Sequence, residues 1–126
     1  MIQFGRAICN DFEQSTSREW LVTNGIGGYA CGTIAGVLTR NYHGLLIAAL
    51  HPPLGRTLTA VKLNETAIYD DRLYRLHTDH REDGSIDPRG FENIEHFALD
   101  GTTPVWTFAF ADAWLEKRIW MEQGEN

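Results

Sequence analysis

Apolar and polar positions alternate at period two through the last quarter of the chain. Across residues 106–110, Trp106, Phe108 and Phe110 fall on one side. Residues 115–121 repeat the pattern, with Leu115, Ile119 and Met121 on one face and Glu116, Arg118 and Trp120 on the other. Residues 94–99 predict the partner strand, and Asp100-Gly101 between them is suited to positive φ in a hairpin turn. Upstream, residues 57–63, 67–69 and 73–77 read as short strands, with polar turns at Asn64-Glu65 and Asp70-Asp71. The longest apolar run, residues 45–50, is strand-sized. No segment sustains a helical period with caps. The stretch REDGSIDPRG, residues 81–90, reads as a polar loop broken by Gly84 and Pro88. These patterns predict an all-β chain folded as an antiparallel β-sandwich, with Trp20, Trp106, Phe108, Phe110 and Ile119 in its core. Residues 122–126, EQGEN, read as a turn leading to a further strand, so the expected object is an incomplete fragment of a larger sandwich domain.

Composition narrows the class. A length of 126 residues fits one domain, residues 1–126, with a single core. No apolar run approaches the roughly 18 residues of a membrane helix. Residues 1–18 mix charge and polarity throughout, unlike a signal peptide. Cys9 and Cys31 match no metal spacing and make no disulfide framework, so a cytoplasmic location is expected. A net charge of -6 argues against nucleic acid as a partner and is compatible with a neutral ligand such as a sugar. No membrane partner is expected.

Half of the twelve glycines fall between Gly25 and Gly44, among β-branched and aromatic residues. Backbone this permissive beside Arg40, Tyr42 and His43 reads as a surface shaped around something. Within it, residues 25–30 (GIGGYA) fit a loose dinucleotide fingerprint. That mechanism needs a helix to begin there, and the glycine-broken, β-branched CGTIAGV that follows does not supply one. His77, Asp79, His80 and Asp83 could ligate a divalent metal, but a strand-to-loop segment does not bring both imidazoles together, and a solvated polar loop is the simpler reading. Glycoside hydrolysis needs two carboxylates flanking the bond. Glu19, Glu92 and Glu95 are candidates, yet none sits in a distinctive setting. The run Thr39-Arg40-Asn41-Tyr42-His43-Gly44 offers a guanidinium fork, a flat ring with a hydroxyl and an imidazole, a combination that binds sugars. The competing reading is a strand edge, where Arg40 pairs with a carboxylate, Tyr42 packs and His43 bonds locally.

The wording NGIGGYA, then GT, G and TRNYHGLL, followed by PPLGRT at residues 52–57, resembles the amino-terminal domain of the bacterial and archaeal type of glycogen debranching enzyme, an amylo-α-1,6-glucosidase. The matches are dense from Arg18 to Thr57 and looser through residues 62–65 and Gly90-Phe91. Cys31 stands where a small serine-like residue is usual, and Asn41 where a second arginine is common. The resemblance implies a large twisted, supersandwich-like β-domain preceding an (α/α)6 toroid that carries the acid and base for α-1,6 hydrolysis. This chain contains no part of such a toroid, so no catalytic residue, cofactor or metal is expected in it. The implied partners are the carboxy-terminal (α/α)6 catalytic domain of the same polypeptide and an α-glucan, glycogen or limit dextrin. Asn24, Arg40, Tyr42 and His43 are then the expected substrate-binding or domain-interface residues. Gly25, Gly27, Gly28, Gly32 and Gly44 are the expected shapers of backbone. The alternative is a free-standing α-glucan-binding module, with a plain structural domain as a third reading.

Overall fold

Alternate residues of the carboxy-terminal strands are buried because each strand has one face on a shared core. The computed structural model describes residues 2–125. The chain opens with β1 (Gln3–Gly5), α1 (Arg6–Cys9) and α2 (Phe12–Thr16). It continues through β2 (Glu19–Thr23), β3 (Tyr29–Thr33), β4 (Gly44–His51) and β5 (Leu54–Ala60). The hairpins β6 (Thr66–Tyr69) with β7 (Arg72–Arg75) and β8 (Thr78–His80) with β9 (Ile86–Arg89) follow. A 3-10 turn (Gly90–Asn93) leads into β10 (Ile94–Asp100), β11 (Thr103–Phe110) and β12 (Ala113–Arg118).

Two four-stranded antiparallel sheets, ordered β1-β10-β11-β12 and β2-β3-β4-β5, form the body of this sandwich-like, all-β fold. Trp20 of β2 meets Trp106 of β11 edge to face at 5.6 Å, and Phe97 packs on Trp106 at 5.2 Å. Such pairs add roughly 0.5–1.5 kcal/mol beyond their burial. Each buried indole also satisfies its donor: Trp106 Nε1–H donates to the Ile34 carbonyl at 2.8 Å, and Trp20 Nε1–H to that of Thr33 at 3.1 Å. Gly32, opposite Trp20 in the ladder, leaves room for its indole, because a Cβ there would lie 3.2 Å from Trp20 Cζ2. Phe108 and Phe110 join this cluster, and Ile119 packs against it partly buried.

Several boundaries differ from the sequence-based expectation. The strand expected over 57–63 starts earlier and ends earlier, as β5, because the Pro52-Pro53 corner folds it directly back on β4. The polar loop expected over 81–90 is the tip and return strand of the β8–β9 hairpin, with Gly84 at φ 89. The β10–β11 turn centres on Gly101-Thr102, since Asp100 still pairs with Thr103 and only Gly101, at φ 64, is left-handed. The Asp70-Asp71 turn has both residues left-handed, at φ 52 and 60. β12 ends at Arg118, although half-buried and exposed positions keep alternating to Met121.

The helices α1 and α2 were not expected. They are too short to show a hydrophobic period, and their sign in sequence is Asp11, whose carboxylate caps α2 by accepting from the Gln14 amide at 2.9 Å. Of the EQGEN run, Gln123-Gly124 does form a turn, with Gly124 at φ 83, while Asn126 lies outside the described residues. No helix among them is long and apolar enough to cross a membrane.

Candidate functional site

β2 alternates exposed and buried residues, which turns Trp20 and Val22 inward and Glu19, Leu21 and Thr23 outward. Its ladder with β3 sets Glu19 beside Thr33, Leu21 beside Cys31 and Thr23 beside Tyr29. This outer face floors an open groove of about 590 Å³, walled by the glycine loop, Tyr42 and Arg56.

Glu19 is the hub of the groove's charged end. One carboxylate oxygen, Oε1, accepts from Arg40 Nε at 2.6 Å, from His43 Nε2 at 2.7 Å and from the Tyr42 hydroxyl at 3.3 Å. Burial pushes the Glu19 carboxyl up, but the His43 and Arg40 donors outweigh it, and the net shift is downward. The group is therefore a carboxylate at neutral pH and no proton donor. All three contacts use Oε1.

The imidazole of His43 is held in one tautomer. Its Nδ1 accepts from the backbone amides of Thr39 at 3.0 Å and Arg40 at 3.2 Å, so the ring proton sits on Nε2 and is donated to Glu19. With its side chain fully buried, His43 does not reach the groove. Arg40, by contrast, is 57% exposed and forms the outer side of the cluster. Tyr42 is 47% exposed, packs edge-on to His43 at 5.2 Å and stands at the groove wall. Arg40 and His43 thus make the contacts of the strand-edge reading, while Tyr42 remains open to solvent.

The other end of the groove is backbone. Asn24 is fully buried, and its side-chain Oδ1 accepts from the amides of Ile26 at 3.1 Å and Gly28 at 2.9 Å, curling the loop between β2 and β3. Its Nδ2 donates to the Glu125 carbonyl at 2.8 Å, and its own carbonyl accepts from Gly124 N. Asn24 consequently builds the loop and does not line the groove. Gly27, at φ 99, lies so close to Pro53 that a Cβ would stand 2.8 Å from the Pro53 carbonyl oxygen. Arg56 Nε donates to the Gly27 carbonyl at 2.7 Å. The NGIGG and PPLGRT runs, separate in sequence, are thereby packed against each other at one groove end.

Among the shaping glycines, Gly25, Gly27 and Gly28 line the groove. Gly32 serves the core instead, and Gly44 lets Ile47 and Leu58 close over β4. No helix follows the glycine loop, so it presents no pyrophosphate-binding helix end. Glu92 and Glu95 are bound elsewhere, to Arg89 and Arg6. At the HTDH run, the Lys62 ammonium hydrogen-bonds Asp79 and lowers its carboxyl against the opposing effect of burial, while His80 packs edge-on to Phe12. The described residues hold no group of three or more His, Cys, Asp or Glu side chains placed to bind a metal.

A family model described as glycogen debranching enzyme N terminal matches residues 18–126. The chain belongs to the glycogen debranching enzyme N-terminal family. No curated protein and no solved structure matches it. The match covers every element from β2 onward and begins one residue before Glu19. In this debranching-enzyme N-terminal domain the groove and its Glu19 cluster lie wholly within the matched segment. Glu19 was legible in sequence only as one carboxylate among seventeen acidic residues. The missing signal is three-dimensional, because its three partners lie more than twenty positions downstream on the β3–β4 connection.

Proposed function

We propose that this chain is a non-catalytic part of a glycogen debranching hydrolase that cleaves α-1,6-glucosidic linkages. In this reading it supplies one wall of the glucan cleft to a helical catalytic domain of the same polypeptide. The observation that carries the reading is the convergence of Arg40, Tyr42 and His43 on Glu19 Oε1 at the end of an open groove. A carboxylate, a half-exposed phenol and an exposed guanidinium are groups that pair with sugar hydroxyls and stack on sugar rings. Glu19 is held ionised, as suits a group that accepts hydrogen bonds from sugar hydroxyls.

The test is Arg40→Ala in the full-length polypeptide. Turnover of an α-1,6-branched glucan should fall by at least tenfold, while urea stability changes by less than about 1 kcal/mol, as for an exposed ion pair. Equal losses, or loss of stability alone, would assign the cluster to the strand edge only.

A second reading, a glucan-binding module that works without a catalytic domain, is favoured by the exposed ring of Tyr42 outside the core. Calorimetry of the 126-residue chain with maltooligosaccharides separates the two. Binding by the chain alone selects the module, and a folded chain that binds nothing selects the cleft wall.

A further inference from the structure

We propose that Trp120 extends the Glu19 groove into a second, adjoining sugar subsite, so that this surface takes a run of an α-glucan chain and not a single residue. The proposal rests on the groove being a glucan site. A hollow of about 510 Å³ adjoins the groove at β2, lined in part by Trp120, Thr102, Thr103 and Gln123. Leu21 and Thr23 line both this hollow and the groove, so the two adjoin along one strand.

Trp120 is 64% exposed, far from the usual state of so large an apolar ring, and it continues the outward positions of β12. Beside the apolar Leu21, Val22 and Met121, the hydroxyl and amide groups of Thr102, Thr103 and Gln123 border the hollow, and no charged side chain among the described residues lines it. A flat ring bordered by neutral hydrogen-bonding groups matches a neutral, hydroxyl-rich ring with an apolar face. Gln123 is held in place, since its Nε2 donates to the Thr23 carbonyl at 2.7 Å, and this fixes the wall between hollow and glycine loop. From Glu19 to Thr23 the β2 ridge runs roughly 13 Å at the rise of an extended strand, enough to separate distinct sugar subsites.

The experiment measures maltose and maltoheptaose binding to the full-length polypeptide by calorimetry. The variants are Trp120→Ala, Trp120→Phe, Trp114→Ala and Glu19→Gln. Trp114 is 84% exposed but lines neither hollow, so it controls for loss of any surface tryptophan. Trp120→Ala should weaken maltoheptaose by about tenfold and leave maltose unchanged, the loss of one aromatic contact. Trp120→Phe should restore most of the affinity, and Trp114→Ala should change neither ligand. Unchanged maltoheptaose binding in Trp120→Ala, or an equal loss for maltose, overturns the subsite while leaving the groove reading in place. Glu19→Gln reports on that reading separately: unaltered maltose binding removes the groove as a sugar site, and with it the extension. A wild-type polypeptide that binds neither sugar overturns both.

Discussion

At the scale of single residues, His43 and Tyr42 are neighbours with opposite duties. His43 is buried and satisfies two backbone amides and one carboxylate, so His43→Ala leaves the Thr39 and Arg40 amides without their acceptor and empties a buried site, while Glu19 keeps Arg40 and Tyr42. Stability should fall by about 2–3 kcal/mol, read from urea unfolding. Tyr42→Ala, at an exposed position, should cost less than about 1 kcal/mol. Glu19 gives a pH signature. Its folded carboxyl lies below the ordinary value of 4.5, so its stabilising effect is present above that value and is lost as pH falls through the folded one. The Tm difference between wild type and Glu19→Gln should therefore be largest near neutral pH and shrink toward pH 3. Cys9 is a third case: burial pushes its thiol up to about 11, against a backbone hydrogen bond that lowers it. Alkylation of native protein at pH 8 should be slow and should become fast on adding urea. These residue types were readable in sequence, whereas their duties were not, because burial decided between a ligand-facing imidazole and a structural one.

At the scale of elements, what was legible followed from side-chain period. β11 has a buried face and β12 a half-buried one, and their alternation could be read directly, while β10 was placed as their hairpin partner. β2 and β3 were hidden inside a glycine-rich run. Their inward positions include Gly32 and Ala30, which add little hydrophobic signal, because the facing Trp20 fills the space. Helices α1 and α2 were invisible for want of length. β5 could be seen but not placed: every one of its residues is exposed, so burial sets no period on it. That strand is the edge of its sheet, and it carries Leu54 at 73% and Leu58 at 48% exposure. An apolar edge pairs readily with other chains. Leu54→Lys should reduce concentration-dependent light scattering and leave unfolding within about 0.5 kcal/mol of wild type.

At the scale of the whole molecule, the two sheets meet on Trp20 and Trp106, and the groove runs over the outward residues of β2, Glu19, Leu21 and Thr23, with Trp20 also reaching its lining. One strand therefore carries core on one face and candidate site on the other. Anything that tilts β2 moves Glu19, Leu21 and Thr23 together. The family assignment agrees with the residues that carried the resemblance, and the structure explains their spacing: the glycine loop and the Pro52-Pro53 corner are in contact. Neither run alone implies the other. Their contact comes from the antiparallel β2–β3–β4–β5 meander, which puts the β2–β3 and β4–β5 turns at the same end of the sheet.

Asn24 lends itself to a mechanical description. Through one amide it grips its own loop at Ile26 and Gly28, and the strand-less segment at Glu125, about a hundred residues away. It behaves as a latch whose two jaws cannot open independently. The amide protons of Gly28 and Gly124 should accordingly exchange with solvent at one shared rate, and Asn24→Ala should speed both together. The rim of the groove would then breathe in step with the tail of the chain.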